Sequence, residues 1–237
     1  MDLKNIDKKY RPVPFWSWNE RLETEETKRQ IGLMDDVGIG GFFMHARGGL
    51  QTEYMGEEWF ENVAASVDEA NRRGMHAWAY DENGWPSGFG GGKVNGLGLK
   101  YQQKYLRMTD DQSPRKHEIG RVDGHVFYFD VNPFYVDTLD REVIGEFIRV
   151  IYEPYYEKFK NSFDGFFTDE PQISRNGIPW SLTLPAEYEK EYGEPLIPRL
   201  PELFLQTGDY KKTRLRFWRL ITMLFSENFI GAETSSA

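Results

Sequence analysis

Short apolar segments that end in polar and aromatic residues recur four times along the chain, at residues 13–19, 41–47, 76–83 and 164–171. Stretches with apolar residues at helical spacing lie between them. In a (β/α) barrel, parallel strands enter a packed interior and carry the chemistry at their C-terminal ends. The pattern therefore predicts strand–helix units with a functional site at one end of the strands.

The first third of the chain alternates strands and helices in units of roughly 30 residues. Thr24 is a favourable N-cap, and Gly38 and Gly74 are favourable C-terminal stops. Strands are predicted at 13–18, 40–45 and 75–80, and helices from Thr24 to Gly38 and from Glu57 to Gly74. Two such units in immediate succession favour parallel βαβ crossovers.

The pattern changes after the third strand. Residues 84–98 are rich in glycine and predict a loop, whereas 101–136 alternate as strands do, with Asp123-Gly124 as a hairpin turn. A helix follows, which Pro154 should kink or end, and then a fourth strand at 163–168. Short helices with prolines precede a long amphipathic helix at 210–230, whose apolar face is predicted to be Trp218, Ile221, Phe225 and Phe229.

These elements predict an α/β fold of the (β/α) TIM-barrel type that is incomplete, with about four of the eight units a closed barrel needs. We expect residues 1–12 to form an N-terminal arm and 13–237 a partial barrel, with a β insertion at about 100–136 after strand three. The alternative is that the insertion hides further barrel strands.

Composition narrows the possible functions. The 237 residues carry a formal charge of −9, which argues against nucleic-acid binding because phosphate contacts need a basic surface. The chain has no cysteine, which excludes disulfides and thiolate sites. No apolar segment is long enough to span a bilayer, and the charged N-terminus has no signal-peptide core, so a cytoplasmic location and no membrane partner are expected. Aromatic residues make up 16% of the chain, so rings fill the core or line a binding surface.

Glu170 is the sharpest catalytic candidate. An apolar strand delivers Asp169-Glu170-Pro171 into a loop, and the proline should hold Glu170 in an extended conformation. Glycoside cleavage needs a carboxylic acid that protonates the leaving oxygen and a second carboxylate that acts as base or nucleophile. The alternative is that Asp169 and Glu170 form a surface pair that binds nearby backbone N–H groups.

Carboxylates beside aromatic rings follow strand three. Tyr80, Asp81, Glu82 and Trp85 suit a sugar, because rings stack on its C–H faces and carboxylates accept from its hydroxyls. The alternative is an Asx-type turn in which Trp85 covers the edge of the core.

Strands one and two end in further candidates. His45 can donate to a hydroxyl or orient a carboxylate, and Arg47 can hold a carboxylate in a bidentate pair. Trp16 and Trp18 share one side of strand one, where they form either a sugar-stacking platform or a helix-packing core. Asn19 directly follows them and joins the substrate-binding candidates.

Two other site types have little support. The glycine-rich run 88–93 lacks the Gly-Lys-Ser/Thr ending of a phosphate loop, and the four histidines show no zinc-type spacing.

The four segments together resemble the catalytic barrel of bacterial glycoside hydrolases related to the α-L-rhamnosidases of glycoside hydrolase family 106. The motifs are 14–19, 40–47, 80–88 and 168–171, and the resemblance covers roughly residues 12–230. It implies a (β/α)₈ catalytic domain with a β insertion after strand three. Glu170 matches the acid catalyst that similar barrels place at the end of strand four. The resemblance also implies inverting hydrolysis and a role for calcium, without assigning ligands here.

Members of this family are longer, and their second catalytic carboxylate lies on a later strand. We therefore expect a glycoside hydrolase catalytic fragment that acts on α-L-rhamnoside-type bonds, is inactive by itself and forms a homodimer through open sheet edges. A non-catalytic carbohydrate-binding half-barrel is the alternative. A sugar-phosphate lyase or isomerase would need a strand-end lysine or a phosphate cradle, and neither is visible.

Overall fold

The structure is a computed structural model that describes residues 6–232, except for the side chain of Asn161. Its strands are β1 (Phe15–Trp18), β2 (Gly41–Ala46), β3 (His76–Asn83), β4 (Gln102–Thr109), β5 (Glu118–Val122), β6 (His125–Val136), β7 (Gly165–Phe167) and β8 (Ile178–Trp180). Its α-helices are α1 (Thr24–Asp36), α2 (Glu57–Arg73), α3 (Arg141–Phe147), α4 (Glu153–Phe159), α5 (Leu184–Tyr192), α6 (Leu200–Phe204) and α7 (Tyr210–Phe225). Short 3₁₀ and π turns connect several of them.

The described residues divide into two compact units. The first takes its residues from Met1–Gly91 and Arg149–Pro171, and the second from Gly92–Ile148 and Gln172–Ala237. The predicted partial barrel over 13–237 as one domain stays a prediction. Of the predicted arm, residues 1–5 lie outside the described part of the chain. Lys8 connects the described part of the arm to α1 and α2, because its ammonium donates to the Asp35 carboxylate at 2.6 Å and to the Arg73 carbonyl at 2.5 Å.

The first unit is built on a four-stranded parallel sheet with the strand order β1-β2-β3-β7. In the register, Phe15 lies opposite Phe43, and Tyr80 lies opposite Phe167. The strands are neighbours in the order in which they occur along this unit, as the sequence predicted. A parallel sheet with interleaved helices agrees with part of an α/β barrel.

Helices pack on one face of this sheet. The Trp16 indole donates to Gln30 of α1 at 2.9 Å, and Trp18 packs edge-on against Trp59 of α2. Trp59 in turn donates to the Tyr155 hydroxyl of α4 at 2.8 Å. The helix layer therefore buries one face of the sheet.

The ends of the two long helices follow local sequence, with one correction. Gly74 ends α2 in the left-handed conformation, with φ 65°, as predicted. Thr24 was predicted to be the N-cap of α1, but it is the first helical residue, and Glu23 precedes it without a side-chain capping bond. The Thr24 carbonyl instead accepts from the Thr27 hydroxyl.

The second unit contains a four-stranded antiparallel sheet with the order β5-β6-β4-β8. The β-rich segment at 101–136 supplies three of the strands, and Asp123 and Gly124 form the predicted hairpin turn with φ 51° and 82°. Strand β8 was not predicted, because it is three residues long and Pro179 lies in its middle. Proline is tolerated there because β8 is an edge strand.

Helix α7 packs into the core of the second unit with a different face from the predicted one. Ile221 and Phe229 are buried as expected, but Trp218 is 47% exposed. The buried face of α7 contains Phe217 and Leu220 instead. Successive residues are rotated by about 100° around a helix. Phe217 therefore points into the core, whereas its neighbour Trp218 points towards solvent.

A buried ion pair joins β4 to the segment before α3. Lys104 is fully buried, and its ammonium bonds the Asp137 carboxylate at 3.1 Å and the carbonyls of Lys100 and Gln102. The three ammonium hydrogens are therefore all used. Asp140 caps α3 by accepting from two backbone N–H groups in its first turn.

None of the helices in the described range 6–232 is long and apolar enough to cross a membrane.

Candidate functional site

The four parallel strands of the first unit bring their C-terminal ends to one edge of the sheet. Asn19 follows β1, Arg47 follows β2, and Asp169 and Glu170 lie just beyond β7. His45 lies near the end of β2, beside β3. The sequence-predicted candidates are thus gathered at one end of a sheet, where parallel α/β folds bind their ligands.

The face of this sheet opposite the helices carries a cluster of rings, here called the aromatic face: Phe15, Phe43, His45, Trp78, Tyr80 and Phe167. Phe15 lies 5.3 Å from Phe43 and 4.9 Å from Phe167 between ring centroids. Phe15 is 48% exposed, and Phe43, Trp78 and Phe167 are only half-buried. The aromatic face therefore presents apolar surface that its own unit leaves partly uncovered.

His45 and Tyr80 form the deepest part of the aromatic face. Their ring centroids are 3.9 Å apart and nearly perpendicular. Burial, with a smaller effect from the Arg47 charge, lowers the pKa of His45 to about 4. Burial also raises the pKa of the Tyr80 hydroxyl well above its usual value. Both side chains are therefore neutral at pH 7.

Glu170 is exposed, and its carboxylate has no hydrogen bond or ion pair within the described residues. The expected extended conformation is wrong: φ of Glu170 is +48°, in the left-handed region that non-glycine residues rarely adopt. The preference imposed by Pro171 is therefore overridden at Glu170. Strained backbone of this kind is concentrated at functional sites.

The backbone of Asp169 is fixed by Ser87. The Asp169 N–H donates to the Ser87 hydroxyl at 2.8 Å, and the Ser87 N–H donates to the Asp169 carbonyl at 3.0 Å. This pair of bonds ties the loop after β3 to the end of β7. It positions the free carboxylate of Glu170 one residue further on.

The Asp81 side chain does not belong to the aromatic face. It lies within β3, which extends three residues further than predicted, and it is fully buried. Its carboxylate accepts from the Ser87 hydroxyl at 2.5 Å and from the Tyr152 hydroxyl at 2.7 Å. Burial raises the pKa of Asp81 to about 6, against the effect of these donors. The geometry supports a positioning role for Asp81.

Glu82, near the end of β3, is also buried, and the glycine-rich loop surrounds its carboxylate. Its two carboxylate oxygens accept five backbone N–H groups, at 2.6–3.2 Å, from Asn83, Gly88, Phe89, Gly90 and Gly91. Burial raises the pKa of Glu82 to about 7, which these donors oppose. The loop amides that resembled a phosphate cradle in sequence therefore bind an internal carboxylate. The geometry supports an anchoring role for Glu82.

Glu82→Gln is expected to lower the free energy of unfolding by about 2–3 kcal/mol at pH 8, where the carboxylate is ionised. The amide keeps one acceptor oxygen but turns an NH₂ group toward backbone donors. Urea unfolding measures the change, with Glu61→Gln on the exposed surface of α2 as the matched control. Equal stability of the two variants would contradict the anchoring role.

The stacking platform considered for Trp16 and Trp18 is not formed. Both rings lie on the helix side of β1, where Trp18 is 2% exposed and contacts Trp59. Side-chain alternation along β1 places Phe15 and Ser17 on the other face. The ring that β1 offers to the aromatic face is therefore Phe15, which sequence reasoning did not select for the site.

The remaining predicted residues lie at the surface. Asn19, Arg47 and Trp85 are exposed, and Arg47 reaches the Gly84 carbonyl at 3.4 Å. Their predicted contacts with a sugar stay predictions.

No group of three or more metal-binding side chains occurs between residues 6 and 232. The carboxylates of Asp81 and Glu82 already accept hydrogen bonds from protein donors. The role for calcium that the resemblance implies stays a prediction, and no step is assigned to a metal.

The stability of the protein should depend on pH through His45. Because its pKa is lower in the folded protein, the unfolded chain binds more protons between about pH 4 and 6.5. The stabilisation of the native protein relative to His45→Gln should therefore rise with pH across this window and level off above it. Urea unfolding of both proteins at four pH values measures this difference. A difference that is constant with pH would contradict the burial of a neutral His45.

Two residues of the candidate site were not identified from the sequence. Tyr152, which holds Asp81, lies 71 positions away from it, and no local pattern links them. Phe15 carried a signal, because it alternates with the two tryptophans of the same strand.

Comparison with known proteins identifies the class of fold to which this chain is similar. No protein-family model matches the chain, and a search of curated proteins finds no match. The fold is α/β and rhamnosidase-like: among solved structures, the chain is similar to the rhamnosidase from Novosphingobium sp. PP1Y, with a TM-score of 0.67. The sequence identity is 12%, so the likeness concerns the fold alone. The match covers 99% of this chain and 45% of that chain, so this chain spans less than half the length of that rhamnosidase.

Proposed function

We propose that this chain is part of a (β/α)-barrel glycoside hydrolase that cleaves O-glycosidic bonds of the α-L-rhamnoside type. The observation that carries the proposal is the free carboxylate of Glu170, which follows the fourth parallel strand three residues after Phe167 of the aromatic face. The fold similarity to a rhamnosidase supports the same class of reaction.

In this mechanism Glu170 is the general acid. Its protonated carboxyl gives a proton to the glycosidic oxygen as the bond to the anomeric carbon breaks, so the aglycone leaves as a neutral alcohol. The Asp169–Ser87 bonds hold the loop that carries Glu170. Phe15 provides a half-exposed ring against which the C–H face of a sugar can stack.

The reaction also needs a second carboxylate as base or nucleophile. Asp81 and Glu82 are engaged by protein donors, and Asp169 directly adjoins Glu170 along the chain. We therefore keep the expectation that the chain by itself is inactive. A small anionic nucleophile such as azide can replace a missing carboxylate, because it attacks the anomeric carbon without deprotonation.

The test uses the 237-residue chain with aryl α-L-rhamnosides, with and without azide. Release of the aryl alcohol together with a glycosyl azide supports the proposal. Bound sugar with no release in azide would favour the second candidate, a non-catalytic carbohydrate-binding half-barrel. The partly uncovered aromatic face favours that candidate. Failure of both binding and release would overturn the carbohydrate assignment.

A further inference from the structure

His45 and Tyr80 each bury a polar atom that has no partner. His45 is 5% exposed and Tyr80 is 1% exposed. The His45 Nε2 atom and the Tyr80 hydroxyl both lack a hydrogen bond within the described residues. A buried polar group without a partner is destabilising, so two of them on touching rings call for an explanation.

The chemistry of the pair is that of a neutral donor and acceptor. A neutral imidazole has one donating and one accepting nitrogen, and a phenol donates and accepts through one oxygen. A hydroxyl group is the ligand that matches both, since it also donates and accepts. A cation or an anion finds no opposite charge in the pair itself.

The surroundings of the pair fit a sugar ring. Phe15 lies 5.3 Å from the His45 ring and 6.4 Å from the Tyr80 ring between centroids. Phe167 lies 6.2 Å from Tyr80 and 4.9 Å from Phe15 between ring centroids, so both phenylalanine rings lie on the same side of Tyr80. Phe15 is 48% exposed, so it covers the pair with a side chain that has room to turn. The nearby charges acting on His45 are those of Arg47 and Asp169.

We propose that His45 and Tyr80 together bind one hydroxyl group of an uncharged pyranoside, with the Phe15 ring turning aside to stack on the sugar. This proposal rests on the proposed function for the sugar class, and it adds the residues that select it. Among the described strand ends, Asp169 and Glu170 contribute two carboxylates beside the Arg47 cation, so an acidic sugar is disfavoured.

The experiment titrates the full chain with L-rhamnose and follows the imidazole nitrogens by long-range ¹H–¹⁵N NMR. The chain has 4 histidines, and His45→Gln assigns the signal of His45. Rhamnose is expected to shift the Nε2 resonance of His45, with D-galacturonate binding more weakly.

Tyr80→Phe separates a binding role from a structural one. It removes only the hydroxyl and keeps the ring beside His45. The affinity for rhamnose is expected to fall about 3- to 10-fold, as for the loss of one hydrogen bond, while Tm stays the same or rises because an unpaired polar atom is removed. Tyr188→Phe is the matched control, since that residue of the second unit also buries an unpaired hydroxyl. The control should leave the affinity unchanged.

The outcomes distinguish this proposal from the proposed function. A silent His45 resonance, or a Tyr80→Phe variant with lower Tm and unchanged affinity, overturns the hydroxyl-binding role even if aryl glycosides are cleaved. A responsive His45 with no azide-dependent cleavage supports the hydroxyl-binding role and refutes only the catalytic proposal.

Discussion

Glu170→Gln is expected to lower azide-dependent cleavage of phenyl α-L-rhamnoside about 10²–10⁴-fold, the usual contribution of general acid catalysis. The phenolate is a poor leaving group and needs the proton that the carboxyl supplies, whereas an amide cannot give one. Cleavage of 2,4-dinitrophenyl α-L-rhamnoside should hardly change, because its leaving group departs without protonation. Initial rates on both substrates measure the contrast.

Asp169→Asn is the matched control for this experiment. Asp169 adjoins Glu170 and also carries a carboxylate without a hydrogen-bond partner in the described chain. Its loss should affect both substrates to a similar extent, since a binding contact does not depend on the leaving group. If Glu170→Gln slowed both substrates equally, Glu170 would not be the acid.

Lys104→Met is expected to lower the free energy of unfolding by about 3–5 kcal/mol, because it leaves the Asp137 carboxylate buried without its cation. Burial already raises the pKa of Asp137, and the Lys104 charge opposes that effect. Denaturant unfolding measures the loss at pH 7. The second unit, rather than the candidate site, should become less stable.

The double variant Lys104→Met/Asp137→Asn tests the cause. It removes both charges and keeps a side-chain oxygen for the Leu139 N–H, so it should recover most of the lost stability. Lys100→Met removes a lysine from an exposed pair with Glu142 and should change stability little. A double variant as unstable as Lys104→Met would show that the lost hydrogen bonds to the Lys100 and Gln102 carbonyls, not the unpaired charge of Asp137, cause the destabilisation.

The buried carboxylates change the interpretation of the motif after strand three. The sequence predicts that Asp81 and Glu82 accept from sugar hydroxyls, yet in the structure they bind Tyr152, Ser87 and the glycine-rich loop. Their place near the site is that of supports for the loop that fixes Asp169. Supporting residues of this kind keep reacting groups in place.

The helices and strands of the first unit could largely be predicted from the sequence. Helical spacing, Gly74 as a stop and the repeated strand–helix units indicated α1, α2 and the order of the four parallel strands. These signals are local, because backbone propensity and amphipathic pattern act over a few residues. The short strand β8 escaped prediction because a proline and a length of three residues give no periodicity.

The sequence predicted where the candidate site lies but not which of its side chains are free to bind a ligand. Its position at the strand ends follows from topology, which the sequence determined by itself. Which side chains are free was decided only by tertiary structure, because Tyr152 and the loop amides reach Asp81 and Glu82 from other segments. Side-chain alternation along β1 shows that Trp16 and Trp18 share one face of the sheet, but it does not show which face. Their contacts with α1 and α2 place both rings on the helix side. The left-handed conformation of Glu170 and the contact between His45 and Tyr80 likewise depend on strands brought together from distant parts of the chain.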